Sequence, residues 1–334
     1  MAIRVGTQSV AERMAFHFDG ALADSHRMNF YESARFQYAA ARLLVKLAQF
    51  RSEGKFVKNI TNGTNLDIQL VSQSDGSFNI NVEGPSQSSS EDPFVKISLA
   101  DLIAYVSERI VEKVDDSVLH GVALANRRRV VDGAPDSSDP AAAIEQLVEA
   151  AMADSSIIAN LQPQTRDLIR RRVAEAYREK RLTVSQAPIS LIDFARSQKL
   201  IAMSAPLISE MATALRKSAN TLEITSTVGG QSQPVLFLDR KMAQEIETAV
   251  VDQEITPMLG NITQFNKENG WGKLKVEGKI ISFSIPSDIL PTIRPKLIDS
   301  MKKDVVFLQT YQVKDRSGEV VRLIAVGILP TPEA

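Results

Sequence analysis

The stretch GNITQFNKENGWGKLKVEG, residues 260–278, decides the fold of the C-terminal part of the chain. Its apolar residues alternate with polar ones on both sides of a short polar turn, which is typical of two antiparallel strands joined by a loop. Three more strands are predicted downstream, with a longer, helical connection between the third and the fourth. This arrangement predicts a small closed β-barrel. The five predicted strands span 260–266, 271–276, 279–285, 305–313 and 320–329.

The same stretch resembles the opening of cold-shock domains, which are barrels of the OB fold. In that family the first strand reaches a Phe-Asn pair, here Phe265 and Asn266, and the second begins with Gly-aromatic-Gly, here 270–272. The resemblance is close over the first two strands and holds in outline to residue 329. It implies an OB-like barrel that binds single-stranded nucleic acid by stacking bases on aromatic side chains.

Several positions depart from the cold-shock pattern. Gln264 and Lys273 stand where the family has aromatic residues, and Ile285 lies near the position of a family histidine. Phe283 falls near the family's third-strand aromatic residue, but it alternates with Ile281 and Ile285, a pattern that predicts a core residue. At least half of the family's stacking surface is therefore missing.

The predicted nucleic-acid site lies on the second strand. Trp271, Lys273 and Lys275 share one face of that strand because alternate residues point the same way. An aromatic ring beside two ammonium groups suits a base and its phosphates, and Phe265 and Lys267 complete the predicted site. Two alternatives remain: Trp271 covers the barrel rim or packs on a neighbouring domain, or the barrel binds a peptide or an oligosaccharide.

The rest of the chain predicts helices and antiparallel strands in an α+β protein. The N-terminal domain, 1–95, is predicted as a helix on a small sheet, with a strand at 15–20, a helix at 29–50 and a hairpin at 66–83. Apolar residues at helical spacing predict that helix: Phe30, Ala34, Tyr38, Ala41, Leu44, Val45 and Ala48. A mainly helical middle, 96–255, contains a linker at 132–140 and a hairpin near 221–238, and the barrel occupies 256–330.

Composition excludes several classes of protein. The chain of 334 residues has no cysteine, which rules out disulfides, thiolate metal sites and a cysteine nucleophile. Lysine and arginine number 39 against 40 aspartate and glutamate, so a polybasic nucleic-acid coat is not expected. There is no apolar run of about 20 residues and no signal-peptide pattern, so we predict a cytoplasmic protein that does not enter a membrane.

One polar cluster could bind a metal in principle. His17, Asp19, Asp24 and His26 lie close together in sequence and carry suitable ligand atoms. Their spacing is not that of a metalloenzyme, so turn polarity and helix capping explain them better. The sequence also has no phosphate-binding loop and no nucleophile motif, and we expect neither a cofactor nor a catalytic residue.

The order of parts weakly resembles uncharacterised bacterial proteins, some of them linked to mobile elements or antiviral defence. The segments that carry this resemblance are FHFDG at 16–20 and MATALRKSANTLEI at 211–224, followed by the terminal barrel. We therefore predict a non-enzymatic component of a larger bacterial, antiviral-defence system that binds single-stranded DNA or RNA. The alternatives are an oligomeric scaffold or adaptor that acts through protein interfaces, and an enzyme of unfamiliar type.

Overall fold

A computed structural model describes residues 12–56, 58–62, 65, 68–72, 79–84, 93–115, 118, 140–228, 230–303 and 305–330. The predicted linker at 132–140 lies outside these residues except for Pro140. The strands are β1 Glu12–Asp19, β2 Gln69–Ser72, β3 Asn79–Gly84, β4 Thr221–Val228, β5 Gln231–Asp239, β6 Val250–Phe265, β7 Trp271–Val276, β8 Lys279–Ser284, β9 Val306–Lys314 and β10 Val320–Leu329. The longer helices are α1 Phe30–Glu53, α2 Leu99–Ile110, α3 Pro140–Ala153, α4 Pro163–Val184, α5 Phe194–Ala212, α6 Arg240–Thr248 and α7 Leu290–Ser300.

Strands from distant parts of the chain form one antiparallel sheet in the order β2-β3-β1-β4-β5. Both predicted hairpins are present, and the second one joins the sheet beside β1. The inner face of β1 is aromatic because its alternate residues Phe16 and Phe18 are buried. Each ring meets Phe36 of α1 edge to face, with centroids 5.5 and 4.7 Å apart.

One hydrophobic core joins this sheet to the helices. Its buried residues run from Met14 in β1 through α1, α2 and α5 to Met242 in α6, and also include Tyr311 and Val313 of β9 and Ile324 of β10. The sheet and core thus draw on both the predicted N-terminal and the predicted middle domain, while the boundaries at 95 and 255 themselves stay predictions.

The C-terminal barrel is confirmed. Five strands close in the order β10-β8-β7-β6-β9, with β8 and β10 parallel and the other pairs antiparallel. Helix α7 fills the long connection between the third and fourth barrel strands, as in an OB-like barrel. Phe283, predicted in the core from its alternation, is fully buried there with Leu274, Leu297, Leu308 and Leu323. The α+β fold class is therefore correct.

Candidate functional site

The structure does not expose the tryptophan of the predicted nucleic-acid surface. Trp271 is only 1% exposed. The expectation that Trp271, Lys273 and Lys275 form one open face is therefore wrong for Trp271. Lys273 is half-buried, with its Nζ 5.2 Å from the Trp271 ring centroid and 3.7 Å from an Asp115 carboxylate oxygen. Only Lys275 of the three is exposed. A buried indole offers no stacking surface to a base.

The other two predicted residues lie apart from that strand face. Phe265 is half-buried and its ring stacks on Phe283 of the barrel core, with centroids 6.1 Å apart. Lys267 is exposed in the loop between β6 and β7, and its backbone carbonyl accepts a hydrogen bond from Arg294 of α7. The structure thus leaves Lys267 and Lys275 at the surface and gives them no exposed aromatic partner among the predicted residues.

The last residue of α2 and the segment that follows it, residues 110–115, contact the outer face of the barrel. One cross-strand row is formed by Lys273 of β7, Ser282 of β8 and Arg322 of β10. Each member contacts this segment: Lys273 pairs with Asp115, Ser282 donates to Glu112 at 2.9 Å, and Arg322 donates to the Ile110 carbonyl at 2.9 Å.

Lys113 ties the same segment to the loop before Trp271. Its Nζ donates to the carbonyl of Asn269, two residues before Trp271, at 2.5 Å. Asp115 pairs with Lys273, two residues after Trp271, so residues 113–115 contact the barrel on both sides of Trp271 in the sequence. The burial of Trp271 agrees with the alternative that it covers the barrel rim or packs on another part of the chain. Sequence reasoning missed this contact because the two segments lie more than 150 residues apart.

A buried ionic cluster holds the helices against the barrel. Glu108 of α2 lies 3.2 Å from Lys113 and 3.5 Å from Arg178 of α4, and it accepts a hydrogen bond from Ser287 before α7. Burial alone would raise the pKa of Glu108, but the two cations outweigh burial and lower it. All three charged side chains are nearly inaccessible to solvent, so this cluster is a structural contact and not an open site.

Glu175 of α4 behaves differently within the same region. Its Oε1 accepts a hydrogen bond from the Val114 amide at 2.9 Å and lies 3.6 Å from Arg171. Burial raises the pKa of Glu175 in spite of the nearby arginines. Its Oε2 is buried and has no hydrogen-bond partner among the described residues. Burial therefore disfavours the ionised form of this carboxyl group more than the arginines favour it.

The polar cluster near β1 has structural partners. Asp19 binds Arg170 of α4 at 2.9 Å, and this contact lowers the pKa of Asp19 although burial acts in the opposite direction. Asp24 accepts a hydrogen bond from the Gly20 amide at 2.7 Å, and His26 is exposed at the end of a short helical turn. Within the described ranges, no group of three His, Asp or Glu side chains is placed to hold a metal ion.

Helix α1 carries a second apolar stripe on its solvent side. Phe30 is 89% exposed, Tyr31 68% and Tyr38 62%, although a soluble helix normally buries such rings. Several of the apolar positions that predicted this helix lie on this outer side, while Phe36 and Leu43 face the core. The sequence contains the signal, because the apolar residues of α1 form two stripes and one sheet can cover only one.

The exposed stripe has the spacing of a helix-pairing seam. Tyr31, Ala34, Tyr38 and Ala41 are separated by three, four and three residues, which is the a/d pattern of two heptads. An arginine follows each tyrosine by four residues, and its guanidinium lies over the tyrosine ring. The distances to the ring centroids are 5.6 Å for Arg35 and 5.3 Å for Arg42. We call these six residues the α1 seam.

Comparisons with known proteins give no family for this chain. No family model, no curated protein and no solved structure matches it. Among the helices of the described residues, none has the length and apolarity needed to cross a bilayer. The arguments for function therefore rest on the surfaces described above.

Proposed function

We propose that this protein is an adaptor that binds an amphipathic helix of a partner protein along the α1 seam. The observation that carries the proposal is the exposed a/d pattern of Tyr31, Ala34, Tyr38 and Ala41 on the solvent side of a helix whose opposite face is already buried. Large tyrosines alternate with small alanines, so a second helix can approach closely between the rings. Tyrosine and arginine are also enriched where protein interfaces concentrate their binding energy.

Charge specifies the partner further. Arg35 and Arg42 occupy the e positions that flank the seam, where a facing helix places its own e or g residues. In an antiparallel pair of two copies, these arginines would face each other. In a parallel pair they would face Phe30 and Gln37, which carry no negative charge. The seam therefore favours a different chain whose apolar stripe is flanked by aspartate or glutamate.

Arg35 is already engaged on one side, because it binds Glu210 of α5 at 3.2 Å. The ion pair with Glu210 holds the guanidinium of Arg35 over the Tyr31 ring. Because each side chain of the pair is about one-third exposed, a second carboxylate can still reach the guanidinium. Arg42 lies over Tyr38 one heptad further along. A partner with an acidic residue every seven positions meets both arginines.

The test uses two designed helical peptides of equal length with leucine at the a and d positions. One carries glutamate at e and g, the other lysine. We expect the full-length protein to bind the glutamate peptide more tightly by fluorescence anisotropy, and to lose that binding when Tyr31 and Tyr38 are both changed to alanine. Val184→Ala is the control, because Val184 is an exposed apolar residue on another helix, α4.

Equal binding of both peptides, or full binding by the double alanine variant, would contradict an acidic helical partner. Light scattering at several concentrations separates self-association from partner binding. If the chain forms a dimer that the double alanine variant loses, the seam binds a second copy and the proposed partner is wrong.

A second candidate function is the binding of single-stranded nucleic acid at the rim of the barrel, within a bacterial defence system of the cytoplasm. It is favoured by the OB-like barrel together with the exposure of Lys267 and Lys275. Binding would depend on phosphates, because the only tryptophan is buried. Oligonucleotide affinity should then fall steeply with added salt and weaken in Lys267→Gln/Lys275→Gln without any change in Trp271 fluorescence. Salt-independent affinity, or none, would exclude this role.

A further inference from the structure

A cavity of about 470 Å³ lies where the helices meet the barrel. Helices α5 and α6 form one wall, and strands β6, β9 and β10 form the other. Most of the lining is apolar, from side chains that include Ile201, Ala205, Ile246, Val251 and Val313. A volume of this size accommodates a small organic molecule, and a mainly apolar wall with few polar groups is usual for such sites.

Arg322 is the polar group that makes this cavity unusual. Its side chain lines the cavity and the residue is only 6% exposed. Nη2 donates to the Ile110 carbonyl, whereas Nη1 is buried and has no hydrogen-bond partner among the described residues. A buried, unpaired guanidinium N–H is costly, because the group has lost water and gained no acceptor.

The carboxylates around the cavity are mostly committed elsewhere. Glu247 binds Arg216 at 2.6 Å, and Asp315 accepts hydrogen bonds within its own turn. One oxygen of Glu112 accepts from Ser282. Asp252 pairs with Lys314 at 2.8 Å. Burial, reinforced by Glu112, raises the pKa of Glu245. Nη1 of Arg322 therefore has no hydrogen-bond acceptor among the residues that the structure describes, although Glu112 and Glu245 are near enough to attract its charge.

We propose that this cavity binds a small amphipathic monocarboxylate, with its apolar body between α5 and the barrel and its carboxylate on Nη1 of Arg322. A carboxylate suits this position because an ionised acceptor forms the stronger, charge-assisted hydrogen bond with a guanidinium. The site is separate from the α1 seam, so the two proposals succeed or fail independently.

The test compares three probes of one shape: naphthalene-2-carboxylate, 2-naphthylmethanol and 2-naphthylmethylamine. Binding to the full-length protein is measured by calorimetry. We expect the carboxylate to bind at least about tenfold more tightly than the alcohol, which is the range of one charge-assisted hydrogen bond. Arg322→Met should remove that preference and leave weak binding of both probes.

Two further variants keep the test decisive if Arg322→Met does not fold. Ala205→Leu fills the cavity from α5 and leaves Arg322 in place, and it should abolish binding of the carboxylate. Ala195→Leu adds the same side chain at an exposed position of the same helix, and it should bind like the unmodified protein. Preference for the amine, equal binding of carboxylate and alcohol, no binding of any probe, or full binding by Ala205→Leu would each overturn the proposal.

Discussion

Trp271 shows how one residue can match a functional motif and serve the fold. Its ring is buried, and its Nε1 has no hydrogen-bond partner in the described part of the chain. Lys113 and Asp115 contact the residues on either side of it in sequence, Asn269 and Lys273. The Gly-aromatic-Gly pattern was interpreted as a base-stacking motif, whereas here it places an aromatic residue at the contact between the barrel and the helices.

This burial predicts a loss of stability on truncation of the ring. Trp271→Ala should lower the free energy of unfolding by about 3–5 kcal/mol in urea titrations. Trp271→Phe should cost less, because it keeps an aromatic ring and removes the unpaired indole N–H. Lys275→Ala, on the same strand but exposed, is the control and should change stability by less than about 0.5 kcal/mol. A stable Trp271→Ala protein would mean that the ring is not a core residue.

Glu175 gives a prediction about pH. A carboxyl group whose folded pKa is raised contributes stability at low pH and loses that contribution as pH rises above its unfolded value, near 4.3. Glu175→Gln keeps the acceptor for the Val114 amide and removes the buried charge. We expect this variant to be more stable than the unmodified protein at pH 7.5, by about 1 kcal/mol.

The advantage of Glu175→Gln should shrink as the pH is lowered toward 4.5, because protonation neutralises a growing fraction of Glu175. Urea unfolding at pH 7.5, 6.0 and 4.5 measures the trend. Glu53→Gln, at the exposed end of α1, is a control without a buried charge. If Glu175→Gln is the less stable protein at pH 7.5, the ionised carboxylate stabilises the arginines around it more than burial destabilises it.

At the scale of elements, packing explains the two glycines on either side of Trp271 at the start of β7. Gly270 has a φ of +75°, and a Cβ there would lie 2.9 Å from the Ile285 carbonyl oxygen. At Gly272 a Cβ would lie 2.5 Å from the Phe283 ring and 2.7 Å from the Gln264 carbonyl oxygen. The motif is therefore required for strand packing, whether or not the barrel binds nucleic acid.

A pair of alanine variants separates crowding from backbone strain. Gly272→Ala should cost about 3 kcal/mol, because the new methyl group displaces either a core ring or the neighbouring strand. Gly278→Ala, in the open turn between β7 and β8, has a φ of +88° and free space around it, so it should cost only about 1–2 kcal/mol. Thermal unfolding and Trp271 emission report both effects. An unchanged emission spectrum in Gly272→Ala would contradict the tight contact.

The bounds of strands and helices were predictable where short sequence patterns mark them. The barrel strands were predicted within a few residues, except that β6 begins ten residues earlier, because alternation and turn residues act over short distances. The capping box of Ser98 and Asp101 at the start of α2 is a local pattern of the same kind. Helix α1 was predicted, but its spacing alone did not say which of its two apolar stripes faces the sheet.

At the scale of the whole molecule, contacts between distant segments decide what the barrel can do. Polar and apolar residues alternate along β7, and this pattern predicts an open outer face. Alternation shows only that the two faces of a strand differ, and does not show whether the polar face is exposed to solvent. Residues 110–115 cover that face through one ion pair and several hydrogen bonds, including those of Glu112 and Lys113. The sequences of β7 and of residues 110–115 contain no pattern that indicates their contact. The fold of the barrel could therefore be predicted from local patterns, but the burial of its outer face could not.

The contact between barrel and helices predicts that they unfold together. Arg109 of α2 binds Asp288, before α7, through two hydrogen bonds of 3.1 and 2.7 Å, and both residues are buried. The same guanidinium lies 3.7 Å from the centroid of Tyr105. Burial alone would lower the pKa of Arg109, but Asp288 outweighs it and raises it. Asp288→Ala removes the partner and leaves a buried, unpaired cation, which should cost about 3–5 kcal/mol.

In the unmodified protein, Trp271 fluorescence and far-ultraviolet circular dichroism should therefore give one coincident transition in urea. In Asp288→Ala we expect the fluorescence transition to move to lower urea, because the single tryptophan is a buried barrel residue and reports the unfolding of the barrel. Asp299→Ala is the matched control: its carboxylate pairs with Lys302 on an exposed surface of α7, and such pairs contribute little. Separate transitions in the unmodified protein, or an unshifted midpoint in Asp288→Ala, would show that the barrel folds independently of the helices that cover it.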